Sequence, residues 1–529
     1  MRTALVVVFV CLASLASAAP ARRAVVILPP QVPADAEGLA FVMQSRASTL
    51  LVATGGYHDL HAKQILSVAG RERMAPGAMA AADGASLLAR RLGAERVVFG
   101  RLARHGAGWT LRASVVTDAG KDAGASPITV QLPGSASRAV EEGALALARL
   151  AAAPDKVTVP PARAPLTTSD KAMASYLACY ATIIRQSIVV EAPVVIEAAP
   201  LEKAVAACRA AVAADPKLMS ARATLGLALA LEGKDDEAVQ ALAEVKEGDG
   251  YLPFYWLGRY WLVTRYQSRD AGATALKKAI EKHPYFLLAY GYLAEHEHAL
   301  HHDKAALEAW QAYREQLPKN NFIRGRISRS LARMGKHKEA LAEARAAQAD
   351  AKGDSEASLE LASRHIDAGE PAEAITILEP LAEGPSARAE LLLRLGYAYQ
   401  LSGDMAAAEK MLRRAETAAA RRPSDWRTRA RARVDLARLL VQTGRDREGN
   451  DILVSTKRGG MGPFLEAQND PKLTAMLERA EAESKGRKVE KMLFSPPTEA
   501  SPFRVDGVGQ PINEDNPPPA PKMFEVLRF

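Results

Sequence analysis

Histidines are concentrated in one short stretch of the chain, where their spacing could bind a metal ion. His296, His298, His301 and His302 are four of the ten histidines, and two of them stand four residues apart. On a helix this spacing puts the imidazoles of His298 and His302 on one face, as in many zinc sites. The stretch has no His-Glu-x-x-His motif. We therefore expect a polar helix end, with a weak metal site or a pH-sensitive contact as alternatives.

Cys179 and Cys208 are the two cysteines that lie outside the amino-terminal leader described below. They fall on consecutive predicted helices, and antiparallel neighbours can bring two cysteines within bridging distance. The sequence allows either a disulfide bond or two small core side chains. No histidine or acid is placed to activate either thiol, so we do not expect a catalytic cysteine.

Aromatic side chains cluster in one predicted helix, although aromatics are only 5% of the chain. One helix can hardly bury so many rings, so part of the cluster is expected at the surface as an anchor for a partner. The alternative is that the rings fill the core beside small neighbours. The predicted exposed aromatic patch consists of Tyr255, Trp256, Tyr260 and Trp261.

Arginines are frequent between residues 421 and 438. They cannot all point one way on a helix, so we expect most of them to lie on a solvated face. Arg431 and Arg438 are expected to face a groove, where a guanidinium could bind a carboxylate or phosphate group. Nucleic acid is not an expected partner of an exported protein.

Composition limits the class of protein. The chain has 529 residues, of which 48% are hydrophobic and 25% charged, with a net charge of +8. These values fit folded domains and exclude wholesale disorder. The sequence contains no Gly-x-Ser-x-Gly motif, phosphate loop or Cys-x-x-Cys motif. We therefore expect neither an enzyme nor a bound cofactor.

The first 18 residues have the pattern of a secretory signal peptide. A short basic start precedes an apolar run from Ala4 to Leu15, and Ala16-Ser17-Ala18 offers a cleavage site. No later stretch is apolar for long enough to span a membrane. We therefore expect a soluble mature protein in the periplasm, without a membrane-spanning segment.

Residues 22–153 are predicted to form a small α/β domain. Strand patterns at 24–28, 96–102, 109–116 and 128–130 alternate with helical patterns at 37–53, 82–92 and 141–153. The run from Ala85 to Leu102 and the hairpin that follows resemble the amino-terminal domain of TolB and its relatives. Residues 54–80 depart from that pattern and leave the second strand in doubt. The resemblance implies a module for protein contacts in the cell envelope, with no active site.

A small residue recurs every 34 positions, at Ala204, Ala238, Gly272, Ala306, Ala340, Ala374 and Ala408. Apolar residues stand four and seven positions after each of them. This spacing fits a close helix crossing with one buried face. The pattern resembles the tetratricopeptide repeat, a helix-turn-helix unit of that period. The predicted fold class is thus mostly α, with a solenoid of about eight repeats over 169–458.

The remaining segments are predicted to be a linker at 154–168, a capping helix at 459–490 and a disordered Pro-rich tail at 491–529. In tetratricopeptide proteins the first helix of each repeat lines a binding groove. Carrying those positions over, by analogy alone, gives a polar, net positive set. That predicted groove set is Arg259, Glu295, His298, Arg329, Arg333, Tyr397, Gln400, Arg431 and Arg438.

These features predict a non-catalytic envelope scaffold that binds protein partners, with an acidic or carboxyl-terminal peptide as a suitable ligand. Two alternatives stay open. One is an ectodomain that senses a small ligand or pH at the junction of the α/β domain and the solenoid. The other is a factor for polysaccharide or peptidoglycan assembly or export, which an exposed aromatic patch would suit.

Overall fold

The computed structural model describes residues 22–72, 74–75, 77–185, 194–195, 198–245, 252–266, 269–350, 354–384, 387–421, 425–462, 465, 470–485, 489 and 499–500. The predicted signal peptide therefore lies outside the described residues. Helices dominate this part of the chain. The strands are β1 Val25–Ile27, β2 Arg96–His105, β3 Gly108–Thr117, β4 Ile128–Leu132, β5 Val194–Val195 and β6 Glu499–Ala500.

The helices before the solenoid are α1 Glu37–Val52, α2 Ala62–Arg71, α3 Ala82–Leu92 and α4 Ala136–Ala152. Those of the solenoid are α5 Asp170–Arg185, α6 Ala198–Ala214, α7 Met219–Glu232, α8 Asp235–Ala243, α9 Pro253–Tyr266, α10 Arg269–Lys282, α11 Leu287–Ala299, α12 Asp303–Gln316, α13 Asn321–Arg333, α14 His337–Asp350, α15 Ser355–Asp367, α16 Pro371–Ala382, α17 Ala389–Ser402, α18 Met405–Ala420, α19 Trp426–Gln442 and α20 Asp446–Thr456. A final helix, α21, runs over Pro471–Glu483.

The amino-terminal unit is a four-stranded sheet with helices packed on it. Strand β1 pairs in parallel with β2, and β2, β3 and β4 follow as an antiparallel meander. The predicted strands and helices of this unit are confirmed in type. Gly93 ends α3 with a φ of 72°, a left-handed conformation that glycine adopts without strain. Within residues 54–80, where the second strand was in doubt, the structure forms helix α2.

Helices α5 to α20 form eight antiparallel pairs in sequence, which confirms the predicted fold class of a repeat solenoid behind a small α/β unit. We call the odd-numbered members first helices and the even-numbered members second helices. The small residues of the 34-residue column lie on the second helices. Ala238, Ala306 and Ala340 are fully buried. At Gly272 a Cβ atom would lie 2.1 Å from Oγ1 of Thr264, so this crossing has no room for a larger residue.

The α/β unit packs along one edge of the solenoid. Nε2 of Gln64 on α2 donates to the Tyr313 hydroxyl at 2.7 Å, and Nδ2 of Asn320 donates to the Leu92 carbonyl at 3.0 Å. Further along, Arg91 pairs with Asp354, the N-cap of α15, at 3.1 Å. One hydrophobic core accordingly continues from the sheet through the first five helix pairs.

The predicted linker at 154–168 is anchored to the structure at both ends. Val159 is buried in the shared core, and its carbonyl accepts a hydrogen bond from Nε of Arg149 at 3.2 Å. The Thr167 hydroxyl donates to Asp215 at 2.5 Å, between α6 and α7. Most other residues of the segment are exposed or half-buried.

The carboxy-terminal end differs in part from the prediction. Helix α21 packs against α20 and covers the last apolar face, as expected of a capping helix, but it is shorter than 459–490. In the predicted disordered tail, strand β6 pairs antiparallel with β5. The β-branched residues Val194 and Val195 favour an extended backbone, whose polar groups need such a partner. The rest of the tail lies outside the described residues.

Within the described ranges, no helix combines the length and the apolarity that crossing a bilayer requires.

Candidate functional site

The predicted aromatic patch is not at the surface. Tyr255, Trp256, Tyr260 and Trp261 are all at most 6% exposed. The prediction assumed that one helix cannot bury so many rings. Helix α9 does so because its faces contact α7, α8, α10 and α11, so that it has almost no solvent side.

Tyr255, Trp256 and Tyr260 each have a defined partner in the core. Tyr260 packs edge-on against Tyr292, with centroids 5.6 Å apart, and its hydroxyl lies 3.2 Å from Nδ1 of His296. Trp256 meets His283 edge-on. Arg259, a predicted groove residue, is buried too: it donates to the Tyr255 hydroxyl and lies over the Tyr255 ring. These residues stabilise the repeat and do not present a binding surface.

The histidine stretch ends helix α11, and the structure gives its members different environments. Nδ1 of His302 lies 3.0 Å from a carboxylate oxygen of Glu297. His298 is half-buried, and burial together with the charges of Arg333, Arg326 and Arg329 lowers its pKa to about 4. The positive charges of these three arginines disfavour binding of a metal cation at His298. With this lowered pKa, His298 is expected to be neutral between pH 5 and 7.5.

Stability should nevertheless fall in mild acid because of two other histidines. His58 and His61 are 2% exposed at the junction of the α/β unit and the solenoid. Burial and the charges of Arg22 and Lys63 lower their pKa values to about 4 and about 3. Since an unfolded histidine has a pKa of about 6.5, the stability that the two neutral histidines contribute is complete above pH 6.5 and is lost as the pH falls toward 4.

We expect each of the two histidines to reduce the free energy of unfolding by up to about 1.4 kcal/mol per pH unit below pH 6.5. Urea unfolding at pH 7.5, 6.5, 5.75 and 5 measures this slope. His58→Gln is the variant to compare, because it should remove about half of the slope. A stability that does not change between pH 6.5 and 5 would contradict the assignment.

Cys179 on α5 and Cys208 on α6 form a disulfide in the structure, with Cα atoms 5.2 Å apart. The bond joins the two helices of the first pair across a sequence separation of 29 residues. Both side chains are fully buried. Of the two alternatives left open by the sequence, the structure has the disulfide.

Successive first helices are joined by ion pairs that run along the groove. Glu295 on α11 pairs with Arg326 on α13 at 3.2 Å, and Arg329 on α13 pairs with Glu360 on α15 at 3.3 Å. Glu360 also binds Arg364. In the middle of the groove, arginines and glutamates of successive first helices are thus paired with each other. The predicted groove set included Glu295 but not Glu360, whose carboxylate reduces the expected positive charge.

Other predicted groove residues are also engaged. Arg333 pairs with Asp303 at 2.5 Å, and Arg438 pairs at 2.5 Å with Asp470, the N-cap of α21. Nε2 of Gln400 donates to Gln442 at 3.2 Å, between α17 and α19. These contacts fix the repeats to each other, and only part of each side chain faces solvent.

Two predicted groove residues remain open to solvent, and they lie in the last two repeats. Tyr397 on α17 is 39% exposed, and Arg431 at the start of α19 is exposed. In the part of the chain that the structure describes, Arg431 forms no ion pair and the Tyr397 hydroxyl no hydrogen bond. Both are therefore available to a partner.

The structure adds two neighbours that the sequence analysis missed. Leu401 lies one helical turn after Tyr397 and is 48% exposed, and Arg394 lies about one turn before it. Arg394 and Arg431 both act on the carboxylate of Asp435, which places them around one point between α17 and α19. We call Arg394, Tyr397, Leu401 and Arg431 the groove patch. Repeat position pointed to neither Arg394 nor Leu401.

Arg433, a member of the arginine cluster, is a buried residue that contacts other helices. Arg433 is 5% exposed. Its guanidinium binds Glu416 on α18 and both Ser455 and Thr456 on α20. It therefore ties three helices together, whereas the sequence analysis expected most of this cluster on a solvated face.

No protein-family model matches the chain, and no curated protein matches it either. Among solved structures, a tetratricopeptide repeat protein from Parabacteroides merdae is 14% identical, over 50% of this chain and 99% of that chain, with a TM-score of 0.37. Yeast Tom70 is 11% identical, over 61% and 66% of the two chains, with a TM-score of 0.43. The tetratricopeptide-like character of the solenoid rests on its own eight helix pairs and their buried 34-residue column.

Proposed function

We propose that the protein is a non-catalytic scaffold of the cell envelope, which binds a protein partner at the groove patch. The observation that carries this proposal is the contrast along the groove. The middle repeats bury or pair their groove side chains. The last two repeats leave Tyr397, Leu401 and Arg431 open to solvent, with Arg394 half-buried on the same helix as Tyr397.

The partner's chemistry follows from this composition. Tyr397 and Leu401 offer an apolar contact of the kind that anchors protein interfaces. Arg394 and Arg431 beside them can bind a carboxylate in a fork geometry. The best ligand is thus a peptide segment with an apolar side chain next to an acidic residue or a carboxyl terminus.

Site-specific photo-crosslinking in living cells tests the surface. A photoreactive amino acid replaces Leu401, and the crosslinked partner is identified by mass spectrometry. We expect a discrete partner, whose yield falls at least tenfold when Arg394→Glu and Arg431→Glu are added. Arg345→Glu with Arg447→Glu is the matched control, since it makes the same charge change on exposed positions of second helices.

A crosslink whose yield is the same in both double variants would contradict a role for the arginines. A partner that crosslinks only from the α/β unit would move the binding surface there. Circular dichroism and thermal melting of each variant show that a lost crosslink does not reflect unfolding.

The compartment is part of the proposal. The signal-like start of the sequence and the Cys179–Cys208 disulfide both suit an oxidising space such as the periplasm. Release of the native protein by osmotic shock, in a form shortened at the leader, is the expected result. Retention of the full-length chain with the cytoplasmic fraction would contradict it.

The two alternative functions differ in the support that they retain. Polysaccharide or peptidoglycan assembly relied on an exposed aromatic patch, and the burial of Trp256 and Trp261 removes that basis. A response to a small ligand at the junction of the two units has a specific observation in its favour, a cavity whose chemistry is described next.

A further inference from the structure

A cavity of about 520 Å³ opens beside the end of strand β1, between the α/β unit and the solenoid. Its volume falls within the range of small-molecule sites. The carboxyl end of a parallel strand pair, here β1 and β2, is also where open α/β sheets usually bind ligands. Helices α1, α2 and α5 each contribute an apolar side chain. We call Phe41, Leu66 and Ile184 the apolar wall.

Lys63, on α2, is the buried cation among the residues that line this cavity. Lys63 is 6% exposed, and its Nζ atom has no hydrogen-bond partner among the described residues. The centroid of the Phe254 ring lies 5.7 Å from Nζ. An isolated ammonium group in such a place is unfavourable unless an anion joins it. Burial accordingly lowers the pKa of Lys63 to about 7.

The other charges at the cavity are already matched. Arg185, at the end of α5, forms an ion pair with Glu37 at the start of α1. Both side chains are partly exposed, so this pair stands at the mouth. His61, two residues before Lys63, has a pKa of about 3 because of burial and is neutral near pH 7. Lys63 is therefore the group at the cavity whose charge an anionic ligand would neutralise.

We propose that the cavity binds a small amphiphilic monocarboxylate, whose alkyl chain lies against the apolar wall and whose carboxylate pairs with the ammonium group of Lys63. One cation inside an otherwise apolar cavity matches one negative charge at the end of an apolar chain. Nζ is covered in the structure, so pairing needs a rotation of the last side-chain torsions, which the flexible stem of lysine allows. This site is separate from the groove patch and does not depend on the proposed function.

Calorimetric titration with decanoate tests the proposal, using the intact mature protein. Lys63→Met keeps the length and apolarity of the side chain but removes its charge. We expect decanoate to bind the variant at least tenfold more weakly, while uncharged 1-decanol binds both proteins equally. Affinity should rise about threefold to fourfold for each methylene from hexanoate to decanoate, because the apolar wall is removed from water.

Proton uptake gives a readout that a merely structural lysine would not change. Titrations at pH 8 in buffers of different ionisation enthalpy should show close to one proton taken up with the wild type and none with Lys63→Met. The amine is then mostly neutral before binding and charged after it. Leu66→Trp, which fills the cavity, should abolish binding of both decanoate and decanol.

Three results would overturn the proposal. They are no decanoate binding by the wild type at millimolar concentration, equal binding by Lys63→Met, and unchanged binding by Leu66→Trp. Thermal melting with decanoate supplies a second measurement, since a bound ligand must raise the melting temperature. Crosslinking from Leu401 reports on the groove patch alone, so failure of this proposal and failure of the scaffold function are distinguishable.

Discussion

Replacing Trp261 with alanine is expected to lower the free energy of unfolding by about 3–5 kcal/mol. The indole is 1% exposed and is one of the largest fully buried side chains of the described part. Helix α9 contacts its neighbours on several sides, so the surroundings can collapse only partly into the space that is left. Urea unfolding followed by circular dichroism measures the change.

Trp261→Phe is the matched control for this variant. It keeps most of the ring and removes an indole N–H that has no hydrogen-bond partner among the described residues. Its cost should therefore stay below about 1.5 kcal/mol. If Trp261→Ala kept full stability and instead lost a binding partner, the exposed patch predicted from the sequence would be right and the buried position wrong.

Removing the disulfide is the second change with a large expected effect. Cys179→Ala with Cys208→Ala should lower the free energy of unfolding by about 3–4 kcal/mol, since the bond closes a loop of about thirty residues in the unfolded chain. A reducing agent should bring the wild type close to the stability of the double variant. The same agent should leave the double variant unchanged.

The comparison of oxidised and reduced wild type separates the bond from packing. Alanine also removes two buried sulfur atoms, whereas reduction leaves both in place. If the reductant did not affect wild-type stability at all, the two thiols would be free in solution. The second alternative of the sequence analysis, two small core side chains, would then be correct.

Local features of the fold could be predicted from the sequence because particular residue types recur at fixed positions in them. The column from Ala204 to Ala408 marks helix crossings, and these alanines lie fully or almost fully buried on second helices. Gly93 marks the end of α3 because few other residues accept its backbone conformation. Such signals depend on neighbours within one or two turns, and the chain displays them directly.

Contacts between distant segments could not be predicted in this way. Asn320 and Leu92 are 228 residues apart, and nothing in either segment indicates the other. For the same reason, the position of Glu360 opposite Arg329 could not be predicted from the repeat positions. Half of the groove patch could be predicted, because repeat position pointed to Tyr397 and Arg431. The exposure of Leu401 depends on packing and could not.

The contacts between the α/β unit and the solenoid edge have a consequence for how the chain unfolds. An ordinary repeat array frays from either end, one unit at a time, because each repeat touches only its neighbours. Here Asn320 pairs with Leu92 and Arg91 with Asp354, so that α3 of the α/β unit is tied to the first five helix pairs and to the start of the sixth. That half should open in a single cooperative event, with uniformly slow amide exchange. The later repeats, which hold the groove patch, lack this tie and should exchange step by step from α21 inward.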